Sequence, residues 1–453
     1  MSAGAIEKNF DEAGKRLRWL VLPAIAAGAF ADYYNTAGVI TPGADSYLPY
    51  FHATTAQYGF FVLLLNIGLM IGALAWGHLA DVFGRRKIFL LDLIFMGIFV
   101  IASVFAETFT EFIIFRVLVG VAIGGDYTAA LPLLAEVIPS KNRGSYMALY
   151  WIIAESGLVV GSSVSYAFLA VTHLSPTIWR YLLLTGLIPI VIAAIARAKM
   201  PESTRWLLSK NKIKEAKDSL SKANLTHTMD ENQLNEAAQI ASSRRNSLYY
   251  VPILIASFVG IYFVAMPAGL ATYFFPTILH SLGITELESV LFIIPFVWVP
   301  EIVFNVILAL STDRLGRLKT LGISGIFLGI FTFSISLVTH DIPVLLLFIF
   351  LSGGLSVLAQ DIIINWGPEL FPTKYRARAT ANNIVAFRLS LGTTGLFEPF
   401  FVSVGGVPAL YIFLGVVSFV GTAVGFFGVG RKGKSEKKTL EELQYYAEES
   451  GPE

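Results

Sequence analysis

The stretch that decides the fold is GHLADVFGRRK, residues 77–87, a short charged segment between two long apolar runs. It recurs in degraded form as ALSTDRLGRLK at residues 309–319, with the Asp, both Gly–Arg positions and the final Lys in register. A second pair repeats at nearly the same offset, EVIPSKNRG at 136–144 and ELFPTKYRA at 369–377. Two charged signatures in the same order, each present once per half, predict an internally duplicated chain.

Composition places the chain in a membrane. Hydrophobic residues make up 55% of the sequence and charged residues only 14%, whereas a soluble domain carries about 25% charged residues. The chain has no cysteine, so disulfides and thiol chemistry are excluded. No basic stripe typical of nucleic-acid binding is present. The six histidines lack metal-ligand spacing, and no clustered catalytic set is present, so neither a metal, a cofactor nor an enzyme activity is expected.

Twelve apolar runs are long enough to cross a bilayer, and in hydrocarbon such runs form helices. They divide the chain into an N-terminal six-helix bundle (1–200), a cytoplasmic linker (201–247), a C-terminal six-helix bundle (248–430) and a cytoplasmic tail (431–453). The runs lie at about 19–41, 56–80, 88–106, 110–136, 145–171, 179–199, 249–278, 287–311, 320–339, 343–366, 381–404 and 408–429.

The distribution of Lys and Arg predicts the orientation. Alternate loops, both termini and the linker are basic, while the intervening loops are mainly acidic. By the positive-inside rule, both termini of this multi-pass cell-membrane protein are cytoplasmic. In the linker, Ile213, Ala216 and Leu220 recur at helical spacing among lysines, which predicts a short amphipathic helix on the cytoplasmic face.

The doubled signature after the second and eighth runs resembles that of the major facilitator superfamily. PESTRWL at 201–207 resembles the sugar-porter signature, and ELFPTKYR at 369–376 resembles sugar porters and related metabolite–proton symporters. GGDY at 124–127 is more similar to proton-coupled phosphate and organic-acid symporters. The resemblance implies an all-α membrane protein with twelve transmembrane helices in two pseudo-symmetric six-helix bundles, which rock about a site at mid-membrane depth.

The resemblance also implies a cytoplasmic gate made of ion pairs and of charges at helix ends. In it, Asp81 caps a helix N-terminus of the opposite half and the other charges pair across the cytoplasmic surface. The alternative is that these residues are ordinary positive-inside anchors. The candidate gating residues are Asp81, Arg85, Arg86, Glu136, Arg143, Asp313, Arg317, Glu369 and Arg376.

Charges within the runs indicate where protons bind, because each is costly in a bilayer. We identify more acids than bases among them: Asp32, Asp126, Glu155, Glu301, Asp361 and Glu398 against Arg116 and Arg388. Asp32 and Asp126 are the candidate proton carriers, with Arg116 tuning proton release. The alternative is a fixed, structural ion pair with Arg116. Asn35 stands where sugar porters typically carry their proton-linked Asp, a departure from that resemblance.

The sequence says less about the substrate-binding site than about proton binding. Arg388 could bind a substrate carboxylate or could neutralise Glu301 or Asp361. The candidate substrate-binding residues are Arg388, Glu301, Asp361, Tyr127, Tyr33, Asn35 and Tyr262.

The sequence therefore predicts a monomeric, proton-coupled symporter of a small polar organic solute that works by alternating access. An organic anion is slightly favoured over the alternative, a monosaccharide. A transporter-like membrane sensor is the alternative from another functional class, and the expected partners are the solute, protons and lipid.

Overall fold

The computed structural model describes residue 19 and residues 21–138, 143–172, 175, 177–198, 200–222, 251–270, 272–273, 295–371 and 376–429. Every regular element in these ranges is a helix. The tail from residue 430 onward and most of the linker lie outside the described residues, and so do a few side chains within the helices.

The first half contains eight helical elements, of which α1 and α2 form one span and α7 and α8 another. A π-helical turn, Tyr34–Gly38, connects α1 to α2. Their bounds are α1 21–33, α2 Ile40–Tyr50, α3 Thr55–Phe83, α4 Arg85–Val104, α5 Phe109–Val137, α6 Arg143–Thr172, α7 Ile178–Thr185 and α8 Leu187–Ala198. The first span therefore continues to Tyr50, well past the predicted end at residue 41.

The linker and the second half contain seven more labelled helices. The bounds are α9 Thr204–Ser209, α10 Ile213–Lys222, α11 Val251–Val264, α12 Val299–Leu315, α13 Arg317–Ile335, α14 Ile342–Leu370 and α15 Arg376–Val424. The predicted amphipathic linker helix is confirmed as α10, with Ala216 fully buried. The last two predicted spans are merged in α15, which is kinked where Gly405 and Gly406 leave helical angles.

Nine helical segments in the described part are long and apolar enough to cross a membrane. Three further spans are the broken first span, the helical segment that begins with α11, and the part of α15 before its kink. The twelve predicted transmembrane helices are therefore confirmed.

The duplicated signature forms the same turn in both halves. Gly84 ends α3 and precedes α4 with φ 102°, and Gly316 ends α12 and precedes α13 with φ 86°. Positive φ is readily adopted by glycine and rarely by residues with a Cβ. The glycine of the motif therefore lets one span reverse into the next without a longer loop.

Close packing of α3 on α5 also depends on glycine. An added Cβ on Gly72 would lie 2.0 Å from the carbonyl oxygen of Val121, and one on Gly124 would lie 2.2 Å from that of Leu69. Each glycine thus faces the backbone of the opposite helix. Such small-residue contacts let membrane helices approach closely enough for dispersion forces to hold them.

The two halves meet along two main helix pairs, α3 with α15 and α6 with α12. These contacts bring the polar side chains of α1, α5 and α6 opposite those of α12, α14 and α15. The candidate site lies between these two groups of helices.

Candidate functional site

Asp32 lies at the middle of the first span, immediately before the π-helical turn, and is 1% exposed. Within this turn Thr36 donates to the carbonyl oxygen of Asp32 at 2.6 Å, and Asn35 donates to that of Ala31 at 2.9 Å. Polar side chains therefore satisfy backbone groups where the regular α-helical ladder is interrupted. Such π-turns are frequent at functional sites because they re-aim the neighbouring side chains.

Asp126 on α5 forms the shortest buried ion pair of the described residues. Its carboxylate lies 2.6 Å from Nη2 of Arg197, and Asp92 on α4 lies 3.5 Å from Nη1 of the same guanidinium. Asp32 on α1 lies close enough to Asp126 and to Arg197 for their charges to interact. Two acids, from α4 and α5, thus share one arginine from α8.

Arg197 is held rigidly at this position. Its guanidinium donates to the carbonyl oxygens of Ala24 and Phe89, both at 3.2 Å, and lies over the Phe89 ring. Gly28 is needed opposite it, because a Cβ there would overlap the guanidinium. Sequence reasoning missed both Arg197 and Asp92, although both lie within predicted apolar runs and could have been found by counting every charge there.

Arg116 is not the partner of the candidate proton carriers. It is fully buried, and its Nη2 donates to the backbone carbonyl oxygen of Asn35. In the described part of the chain no carboxylate forms an ion pair with it, so the alternative of a fixed pair between Arg116 and Asp32 or Asp126 is wrong. The Asn35 side chain turns away, donating to Ala31 and, at 3.1 Å, to Gly186.

Arg388 on α15 links the halves through aromatic residues. Its Nη2 donates to the Tyr127 hydroxyl at 2.8 Å, and its guanidinium lies over the rings of Tyr127 and Phe387 at 5.1 and 4.7 Å. Tyr33 packs edge-on against Tyr127. Among the described contacts, no ion pair joins Arg388 to Glu301 or Asp361. Arg388 therefore does not neutralise either acid by direct contact.

A second group of acids lies across the interface between the halves. Asn305 on α12 donates its amide nitrogen to Glu155 on α6 at 2.8 Å and to Asp361 on α14 at 3.2 Å. Glu301, one turn before Asn305, is close enough to both acids for the charges to interact. The sequence grouped Glu301 with Asp361, but it did not assign Glu155 to the site.

A cavity of about 20 Å³ lies between the halves. Its walls include Tyr33 and Glu155 from the first half and Glu301, Gln360 and Arg388 from the second. This volume holds about one water molecule, far less than a monosaccharide needs. A solute can therefore enter only when the halves separate.

Tyr262 lies on α11, where its hydroxyl is 3.1 Å from that of Thr393. It is not among the residues that line the cavity. Its predicted contact with solute is therefore not formed in this closed arrangement.

The end of the molecule at which α3 turns into α4 shows a helix cap that the sequence did not predict. The Glu202 carboxylate accepts from the backbone N–H groups of Arg85 at 3.0 Å and Arg86 at 3.2 Å, at the start of α4. Burial raises the pKa of the Glu202 carboxyl above its ordinary value, although these N–H groups favour its charged form. The nearby Trp206 indole donates to the backbone carbonyl oxygen of Asp81 at 3.1 Å.

The structure describes only part of the predicted gate between the halves. Nη2 of Arg378 lies 3.5 Å from His78 Nδ1, and Ser145 donates to the carbonyl oxygen of Ala309 at 2.9 Å, so the two halves touch at this end. Of the nine candidate gating side chains, five lie outside the described residues: Glu136, Arg143, Asp313, Glu369 and Arg376. The gating role of all nine stays a prediction.

Known proteins resemble this chain over most of its length. A family model described as "Sugar (and other) transporter" matches residues 24–445. The arabinose-proton symporter of Bacillus subtilis (strain 168) is 25% identical over 450 residues, which cover 94% of each chain. The probable metabolite transport protein CsbC of the same bacterium is 29% identical over 418 residues, 86% of each chain.

The fold is also found in a solved transporter. The proton:xylose symporter XylE of E. coli, bound to 6-bromo-6-deoxy-D-glucose, superposes with a TM-score of 0.82 at 21% identity. The match covers 96% of this chain and 99% of that one. The family match and these relatives support sugar transport more than the transport of an organic anion, which the sequence slightly favoured.

Proposed function

Because the chain belongs to the sugar (and other) transporter family, we propose that it is a proton-coupled symporter of a sugar or polyol. The family establishes a multi-pass membrane transporter that is not an enzyme. Proton coupling and the class of solute are the parts of the proposal that go beyond membership of the family. Both are supported by relatives named as an arabinose-proton symporter and a minor myo-inositol transporter.

The burial of Asp32 beside Asp126 carries the coupling proposal. Two buried carboxyl groups whose charges interact repel each other when both are ionised, so protonation of one of them is stabilising. Asp126 is already neutralised by Arg197 at 2.6 Å, which leaves Asp32 as the group that gains and loses the proton. Proton binding at Asp32 would thus be sensed by α4, α5 and α8 together.

Solute binding would act across the same interface. The cavity walls come from both halves, so a solute held there links α1 and α6 to α12, α14 and α15. Closing around the solute buries its polar groups against those of the protein. The cytoplasmic contacts at His78 and Ser145 would then break when the site opens inward, which is the alternating-access cycle of the family fold.

Purified protein in proteoliposomes tests the proposal with L-arabinose, D-xylose, D-glucose and myo-inositol. An inwardly directed proton gradient should drive accumulation of at least one of them. Asp32→Asn should abolish accumulation while leaving counterflow exchange measurable, because exchange needs no net proton movement. Glu215→Gln, which removes an exposed carboxylate of α10, is the matched control and should behave as the parent.

Two results would count against this reading. Gradient-driven accumulation that survives in Asp32→Asn would remove Asp32 from coupling. Absence of exchange for every sugar and polyol, in protein that melts cooperatively, would reject the solute class.

We extend the proposal to topology, with the bundles at 1–200 and 248–430 and both termini on the cytoplasmic side. The chain has no cysteine, so a single cysteine introduced at Lys212 or at Glu107 gives an unambiguous labelling site. A membrane-impermeant maleimide should label the second in intact cells and the first only after lysis. The reverse pattern would invert the orientation.

A further inference from the structure

The acids that meet between the halves are not accounted for by proton coupling at Asp32. Glu155 is 2% exposed, Asp361 1% and Glu301 5%, and Asn305 bridges the first two. They come from α6, α14 and α12, so the cluster spans both halves. A cluster in this position is separated and re-formed whenever the halves rock.

Three oxygen atoms beside this cluster lack a hydrogen-bond partner within the described part of the chain. They are Glu155 Oε2, Asn305 Oδ1 and Gln360 Oε1, and all three are buried acceptors. Glu155 and Gln360 line the cavity. A buried acceptor without a donor is costly, so this side of the cavity is suited to a ligand group that donates several hydrogen bonds.

The charges around the cavity indicate the chemical class of that ligand group more closely. The other charged or titratable side chains on the cavity wall are Arg388 from α15, Tyr33 from α1 and Tyr273 from residues 272–273. Arg388 is already bound to the Tyr127 hydroxyl and lies between two rings. Two carboxyl groups on the cavity wall, Glu155 and Glu301, and the Asp361 carboxyl group, which Asn305 joins to Glu155, thus outnumber one engaged cation. An additional positive charge would be attracted.

The arrangement fits a polyatomic cation better than a metal ion. Among the described residues, no three acids or histidines converge closely enough to hold a metal. An ammonium group carries three N–H donors and a full positive charge. It matches the unpartnered oxygen of Glu155 and the surplus of carboxyl groups, which leaves the unpartnered oxygen of Gln360 to a hydroxyl group of the ligand.

We infer that Glu155, Glu301 and Asp361 form the subsite for a protonated amine of the transported solute, so that the solute is an aminated sugar or polyol. This inference rests on the proposed function and narrows its substrate class. The Asn305 amide nitrogen already bridges Glu155 and Asp361, one acid from each half. The solute's ammonium group takes over that bridge, and its hydroxyl groups extend toward Gln360 and Arg388.

Such a bridge couples recognition to closure. With the halves apart, Glu155 is separated from Asn305 and Asp361, and each acid gains solvent. An ammonium group that binds Asp361 and Glu301 first presents its remaining donor to Glu155 as α6 approaches α12. A neutral sugar lacks the charge that makes this contact strong.

The test uses the purified full-length protein and measures ligand-dependent thermal stabilisation, followed by competition in the counterflow assay. The probes are D-glucosamine, D-glucose, N-acetyl-D-glucosamine, ethanolamine and sodium chloride. D-glucosamine should stabilise the protein at concentrations at least about tenfold lower than the two sugars without a cationic nitrogen, because a charged hydrogen bond is lost in both. Glu155→Gln, Glu301→Gln and Asp361→Asn should each remove this preference while retaining some response to D-glucose.

The outcomes separate this inference from the proposed function. Equal or stronger binding of D-glucose than of D-glucosamine would overturn the inference and leave the sugar-symporter proposal standing. Stabilisation by ethanolamine without any sugar would support the amine subsite and reject the sugar proposal. Stabilisation by sodium chloride alone would show a sodium site in its place. Glu215→Gln is the control. If one of the three variants of the acidic cluster no longer melts cooperatively, the other two carry the test.

Discussion

The ion pair between Arg197 and Asp126 gives a quantitative test of the buried cluster in the first half. Arg197→Gln removes the cation that lies 2.6 Å from Asp126 and 3.5 Å from Asp92. Both carboxylates then remain buried without their counter-ion. Breaking a buried pair in this way costs about 3–5 kcal/mol of unfolding free energy.

Asp126→Asn should cost less, because Arg197 keeps Asp92 and its carbonyl acceptors. Loss of one charged hydrogen bond is worth about 1.5–3 kcal/mol. The double variant should be more stable than the sum of the single effects predicts, with a coupling energy of about 0.5–3 kcal/mol. Unfolding in a titration with sodium dodecyl sulfate, followed by tryptophan fluorescence, measures all four proteins of the cycle.

A matched control is available on α7. Arg180 donates to the carbonyl oxygens of Val104 at 2.8 Å and Ala106 at 3.0 Å, like Arg197, but it has no carboxylate partner in the described contacts. Arg180→Gln combined with Asp126→Asn should therefore be additive. If the Arg197 cycle is equally additive, within about 0.5 kcal/mol, the reasoning that the pair stabilises this site is refuted.

Three further changes test other parts of the structure. Gly124→Ala drives a Cβ to 2.2 Å from the Leu69 carbonyl oxygen and should lower stability in the same titration by about 1–3 kcal/mol. Gly353→Ala, which meets nothing within 4 Å, should not. Glu202→Gln should cost about 0.5–2 kcal/mol by weakening the α4 cap, and Glu215→Gln should be neutral; equal effects would contradict the capping role. Asn35→Asp places an acid against the carbonyl oxygens of Ala31 and Gly186, so exchange should fall as pH rises, and a pH-independent rate would show that the acid needs no proton there.

Much of the fold could be predicted because the solvent is a bilayer. Apolar runs of this length have no option but to form helices, and the duplicated signature at residues 77–87 and 309–319 marks the same turn in each half. The predicted helix boundaries were wrong where side-chain hydrogen bonds replaced the regular backbone hydrogen bonds of the helix. At Asn35 and Thr36 the helix continues through a π-turn to Tyr50, because their side chains satisfy the carbonyl oxygens that a break would otherwise expose.

The site was only partly predictable, since burial marks a charge as costly without identifying its partner. Asp32 and Asp126 were predicted as the proton-carrying pair from their depth; the structure brings their charges close enough to interact, and their role stays a prediction. The arginine that pairs with Asp126 is Arg197 and not Arg116, because α8 packs against α4 while Arg116 donates to the Asn35 carbonyl oxygen. Nothing in residue spacing along one helix encodes which face of a distant helix it meets.

The sequence by itself thus determined the membrane environment, the twelve helices, the internal duplication and the family, because all of these follow from local hydropathy and from motifs read along the chain. Tertiary structure alone decided that Glu155 meets Asp361 through Asn305, that Arg388 binds Tyr127, and that one small cavity lies among them. Those contacts join residues more than fifty positions apart in sequence. They form only where helices that are distant in sequence meet, and the position of α5, which carries Tyr127, is set by its close packing on α3 at Gly72 and Gly124.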